Sequence, residues 1–194
     1  ENYLSLGLAD ALITRLSNIG RLTVRPTSSI LMFQDLSADP FSAGRDLKVE
    51  YVVDGNIRRV GEKIRVSVQL LQISNEETLW AENFDEKFTD VLELEDVISE
   101  RVVKALLPKL TGEEQRRLEK RGTNNVDAYQ AYLRGRYFAN QFSDESLLRS
   151  IECYREAILF DPNYALPHVG MADFYVWSAV FGEMPCREAY PKAK

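Results

Sequence analysis

One histidine, two cysteines and two tryptophans in 194 residues leave few groups for the chemistry most enzymes rely on. A single histidine, His168, cannot supply both a base and a ligand set, and no serine-nucleophile motif accompanies it. Cys153 and Cys186 are too far apart for a metal-ligand pair and too few for a disulfide framework. Cys153 is therefore expected as a free, partly buried thiol, and His168 as a packing or surface residue. No apolar run reaches the roughly 20 residues that cross a bilayer, so any membrane anchor is expected outside this chain. A basic excess is missing too. With 24 Lys and Arg against 30 Asp and Glu, the net charge of -6 opposes a phosphate-binding surface, and no nucleic-acid contact is expected of this chain.

What is present reads as a folded chain. Hydrophobic residues make up 45% and charged residues 28%, enough for a packed core and far from the disordered class. The length allows two small domains.

The first domain is expected over 1–110. Leu4, Leu8, Ala11, Leu12, Leu16 and Ile19 recur at helical spacing, and Gly20 follows as a stop. Arg21 to Arg25 alternates polar with apolar residues up to Pro26, the pattern of a short strand. Thr27-Ser28-Ser29 can cap a short helix through Phe33. Asp39-Pro40 opens another that runs to Leu47. Three β-rich runs follow, over 50–60, 63–73 and 78–88, joined at Gly61-Glu62 and at 74–77. In the middle run Ile64, Val66, Val68 and Leu70, with Gln72 a further candidate, alternate with Arg65, Ser67 and Gln69, so it is expected between the other two with one face buried. From Asp90 to Leu110 the residues Val91, Leu94, Val97, Ile98, Val102, Ala105 and Leu106 form one helical stripe. The fold class of this part is α/β (α+β) with a mixed sheet.

The blocks "YLSLGLADALITRLSNIGRLTVRPTSS", "AGRDLKVEYVVDGNIRRVGEKIRVSVQLLQ" and "TLWAENFDEKFTDVLELEDVISERVVKAL" resemble the TolB amino-terminal-type domain. Members of that family usually carry an apolar strand before the first helix. Its absence ahead of Glu1 leads to the expectation of an open sheet edge that would pair artificially with another chain.

A connector is expected over 111–125, its helix capped by Thr111, with Glu113 and Glu114 at the positive end and Arg116, Arg117, Lys120 and Arg121 toward the other, closed by Gly122. The second domain is expected over 126–194. Tyr154 and Ala157 precede Pro162 by eight and five residues, and Ala165 begins a new helix three after it. The spacing resembles the tetratricopeptide repeat, a helical hairpin of about 34 residues. One repeat is expected over 126–163, split near 142–144. A second starts at Tyr164 with its second helix opening at Ala189. An all-α helical hairpin array is the expected class, truncated at Lys194.

No catalytic, cofactor or metal site is expected. Gly55 and Gly61 lie in no phosphate-binding loop. Glu93, Glu95, Asp96 and Glu100 ring a helix whose apolar stripe explains them, and Asp85-Glu86-Lys87 and Asp144-Glu145 read as surface and capping residues. Trp80 reads as core beside Phe84. By the repeat resemblance, Tyr132, Arg136 and Asn140 on one helix and Val169, Asp173 and Trp177 on the next would line a surface for a protein or peptide partner. The expected function is a non-catalytic interaction or sensory region of a larger bacterial signalling or transcriptional regulatory protein. In such proteins the two modules often sit behind a CadC-type winged helix, an adenylate cyclase or a serine/threonine kinase domain. A small-molecule receptor with a pocket under Trp80 and Arg58-Arg59, or a structural spacer, are the alternatives. A homo-oligomer is compatible with all three. The location would be the cytoplasm, or the periplasm if the parent carries an upstream membrane helix.

Overall fold

A computed structural model describes residues 2–33, 39–60, 63–87, 91–107, 109–119, 122–141, 143–182 and 184–194. The chain divides into two compact units, Leu8–Lys120 and Asn2–Gly7 with Arg121–Lys194.

The first unit begins within helix α1 (Asn2–Ser17). Leu8, Leu12 and Leu16 are buried along it, and Ile19 just beyond its end. The chain turns before Gly20, where the Ile19 amide donates to the Leu16 carbonyl at 3.1 Å. The strand expected over 21–25 does not form. Leu22 and Val24 are half-buried between exposed neighbours, so the alternation of an extended chain is kept, yet no ladder joins it to the sheet. A period of two reports which side faces the core; it carries no information about whether a hydrogen-bonding neighbour lies alongside.

In α2 (Thr27–Ile30), continued as a 3-10 turn over Leu31–Phe33, Thr27 does not cap. Pro26 occupies that position, and the Thr27 hydroxyl donates to buried Asp10. Asp39 does cap α3 (Pro40–Leu47), its carboxylate accepting from the amides of Phe41 at 3.3 Å and Ser42 at 2.9 Å.

Strands β1 (Tyr51–Val60), β2 (Lys63–Gln72) and β3 (Glu77–Lys87) form a sheet with β2 in the centre. It is antiparallel throughout the described residues, not mixed as expected, because short connections join consecutive strands. The β1–β2 connection at Gly61-Glu62 lies outside the described residues. Ile64, Val66, Val68 and Leu70 are buried on one face, with Ile57 and Phe84 opposite Val66 and Trp80 opposite Leu70. The alternation then breaks, because Leu71 is buried as well. It pairs with Thr78 while Leu70 pairs with Trp80, so Leu79 is an extra residue in β3, a bulge. Leu71 and Ile73 face the other side, where α3 presses close. A Cβ on Gly44 would stand 2.5 Å from Ile73 Cδ1 and 2.9 Å from Val52 Cγ2.

Helix α4 (Val91–Leu106) ends four residues before the expected Leu110. Its buried stripe is rotated from the expected one. Leu94, Ile98 and Val102 are in it, together with Leu92, Val103, Glu95 and Ser99, whereas Val97 is 39% exposed. Glu95 is taken inward by Arg15 of α1. The Arg15 guanidinium lies 3.6 Å from Glu95, pairs with Asp96, and donates to the Leu118 carbonyl at 2.7 Å.

Helix α5 (Gly112–Glu119) carries the expected cap in reciprocal form. The Glu114 amide donates to the Thr111 hydroxyl at 3.2 Å, and the Thr111 amide donates to the Glu114 carboxylate at 2.8 Å.

The second unit contains helices α6 (Val126–Ala139), α7 (Asp144–Phe160), α8 (Ala165–Val180) and α9 (Cys186–Ala193). The last of these begins three residues before Ala189. Asn125 caps α6 through the Ala128 amide, and Ser143 with Ser146 forms a capping box on α7.

Candidate interaction surface

The second unit is built around one tyrosine. The ring of Tyr154 on α7 fills a slot between Gly135 of α6 and Gly170 of α8. A Cβ on Gly135 would come within 2.4 Å of the ring, and one on Gly170 within 2.6 Å. With no side chain at either position, both helices approach the ring. Ala157, one turn on, is fully buried for the same reason. Tyr132 and Tyr164 complete the cluster edge-on, 5.3 Å apart. The turns at the two ends of the α6–α7 hairpin are tied together. The Thr123 hydroxyl donates to Asp161 at 2.5 Å, and the Asn125 amide group donates to the Phe160 carbonyl at 3.0 Å.

This packing leaves α8 with two apolar faces. Pro167, Gly170, Tyr175, Ser178 and Ala179 are buried. Val169 (54% exposed), Val176 (41%), Trp177 (49%) and Val180 (61%) lie on another side, within about 100° around the helix axis. Phe181, 67% exposed, stacks on Trp177 with ring centroids 5.5 Å apart and planes 18° apart. Asp173 sits in the middle of this stripe, exposed and without an ion pair among the described residues. A helix apolar on all sides is normally enclosed, and α8 instead leaves this second apolar stripe exposed.

The six residues expected at a binding surface divide. Val169, Asp173 and Trp177 lie together on the exposed stripe of α8. Tyr132 is 5% exposed and belongs to the tyrosine cluster. Arg136 and Asn140 are half-buried near the end of α6. The Nδ2 of Asn140 is sequestered with no acceptor among the described residues. Val176, Val180 and Phe181 were not among the expected residues. Their signal is in the sequence: α8 carries apolar residues at both helical phases, which one buried stripe does not require.

Residues 1–101 match the family model of the HilA/YgeH-like transcriptional regulator, second domain. The chain belongs to this family. Among individual proteins, this HilA/YgeH-like chain is 29% identical over 172 residues to a putative adenylate cyclase 3 of Rhizobium meliloti (strain 1021). That alignment covers 89% of the chain and 29% of the relative. It is 30% identical over 71 residues to the transcriptional regulator HilA of Salmonella typhimurium, covering 37% of the chain and 13% of that protein. The chain thus spans less than a third of either relative. The crystal structure of TolB from Acinetobacter baumannii aligns with 53% of the chain and 25% of its own at 21% identity, with a TM-score of 0.43. Family and relatives make this a region of signalling or regulatory proteins.

In the HilA/YgeH-like part, Trp80 is half-buried, 6.4 Å from Phe84 between ring centroids. Arg58 is exposed beside Arg65, which is held by Asp85 through two hydrogen bonds of 2.6 and 2.8 Å. His168 is exposed at the start of α8, its Nε2 3.4 Å from the Pro162 carbonyl. Cys153 is half-buried and Cys186 exposed, both free. Burial pushes the Cys153 thiol up, against the nearby Arg134. A thiol held protonated is a poor nucleophile. Among the described residues no group of three or more metal-ligating side chains converges.

Proposed function

We propose that this chain is a non-catalytic interaction or sensory region of a larger bacterial regulator, in which α6 to α9 are tetratricopeptide-type hairpins that present a surface to a protein partner. The observation that carries the reading is the exposed apolar stripe of α8 around Trp177 and Phe181. Tyr154 between Gly135 and Gly170 supports it, because small residues at close helix approaches with an aromatic filling the gap are what stacked hairpins need. The family supports a place in transcriptional regulation. The similarity to a putative adenylate cyclase supports the same region serving a different output.

A photo-crosslinking residue at position 177 of the full-length parent, in its source bacterium, tests this. A protein adduct formed from position 177 and not from exposed Arg155 on α7 is the expected result. Identical patterns from the two positions would remove the basis for the reading.

A further inference from the structure

The stripe on α8 has features that select among occupants. An added strand needs free backbone groups, and the middle of a helix has none to give, since its amides and carbonyls are bonded within the helix. A polyproline segment needs slots between splayed aromatic rings. Trp177 and Phe181 are instead stacked 18° from parallel, which closes the slot between them. Val169, Asp173, Val176 and Val180 follow spacings of three and four residues, the ridges into which another helix packs.

Charge narrows the choice again. Asp173 lies at the centre of the stripe, so an occupant that covers it must offer a cation there or leave a carboxylate shut away from water. A second copy paired through this same stripe offers no cation there, since the stripe itself carries none. Antiparallel pairing through the same stripe would set the two Asp173 side chains within about one helical turn of each other.

We propose that the Val169–Phe181 face of α8 receives an amphipathic helix of a partner protein, apolar on the side it presents and carrying a lysine or arginine opposite Asp173. The proposal rests on the protein-interaction reading above and adds the chemistry of the partner. The stripe runs over about 18 Å, which asks for a partner helix of at least three turns.

The test uses the 194-residue chain with Trp80→Phe, so that Trp177 alone reports. Two synthetic helical peptides of about 21 residues, leucines at heptad a and d positions, differ only in a central Lys or Glu. The Lys peptide is expected to shift Trp177 emission and to bind at least about tenfold tighter than the Glu peptide, and Asp173→Lys to reverse that order. Equal binding of both peptides to both proteins overturns the proposal, as does binding of neither. Self-association in sedimentation velocity that Trp177→Ser abolishes overturns it in favour of a second copy. Adducts from position 177 in the cell, with no charge preference in the peptides, would sink this proposal alone and leave the interaction reading standing.

Discussion

The two units solve the packing problem with different side chains. Leu, Ile and Val from α1, β2 and α4 fill the first, with Phe84 as its buried aromatic and one ion cluster set inside. The second is closed by Tyr129, Tyr132, Tyr154, Tyr164 and Tyr175 against glycines and alanines. Aliphatic side chains of similar volume substitute for one another with small adjustments, so such a core constrains its sequence loosely. A ring in a slot between two glycines has no such latitude. Either the ring shrinks and leaves a void, or a glycine grows and meets it. The second unit is therefore the place where single changes should cost most, and the ion cluster is the exception in the first.

The sharpest break of that contrast is Tyr154→Ala. Removing the ring leaves the space between Gly135 and Gly170 empty, and neither glycine has a side chain to relax into it. A loss of about 3–5 kcal/mol is expected, as for other large aromatics cut to alanine. Denaturant unfolding followed at Trp177 in a Trp80→Phe background measures it, since the chain has one tryptophan in each unit. A loss under about 1 kcal/mol would mean that the slot is not a constraint. Leu→Ala changes in the first unit fall in a comparable range at best.

Next in size is Arg15→Met. It removes the cation from beside Glu95, whose side chain is 11% exposed, and Asp96, and takes its donor from the Leu118 carbonyl. Removing one partner of a buried ion pair costs about 3 kcal/mol or more, whereas replacing the whole group with apolar residues can be neutral. Unfolding followed at Trp80 should show that loss in the single variant, and Arg15→Met with Glu95→Met should recover part of it. A double variant worse than the single one would refute the account in which Arg15 offsets the buried Glu95 charge.

These two residues also show where the sequence was legible. In β2 the alternation of Ile64, Val66, Val68 and Leu70 gave the strand, its central place and its buried face, because a half-buried strand writes its orientation into every second residue. Leu79 gave no sign of being an extra residue, since a bulge changes register between strands and not the composition of either. Arg15 was readable in principle. It falls three residues after Leu12 and four after Ala11, in phase with the buried leucines of α1. Glu95 likewise falls in phase with Ile98 and Val102 on α4. A cation and an anion at core phase on two helices is a signal for a buried pair, which an apolar-only reading discards. For the candidate surface, Val169, Asp173 and Trp177 came from the repeat resemblance and do share one face. Tyr132 did not join them, because helical spacing alone does not separate a buried phase from a surface one in a helix as thoroughly covered as α6.

The smallest expected effect concerns pH and sits in the first unit. Arg21 donates to both oxygens of Glu114 at 2.7 Å and to the Lys109 carbonyl at 2.8 Å, while Thr111 adds its own hydrogen bonds. The Arg21 guanidinium first, and then the Thr111 amide, hold the Glu114 carboxyl well below its ordinary value of 4.5, down to about 2. The unfolded chain takes up the proton first as pH falls, so this carboxylate adds stability that is fully present above pH 4.5 and is lost as pH drops through about 2. Glu114→Gln removes that contribution. The stability difference between wild type and variant, followed at Trp80, should therefore be constant above pH 4.5 and shrink toward pH 2. An Arg21→Gln background should flatten the same difference, because the guanidinium is its main cause. A difference that persists unchanged down to pH 2 would show that neither the Arg21 nor the Thr111 contact contributes charge-dependent stability through Glu114.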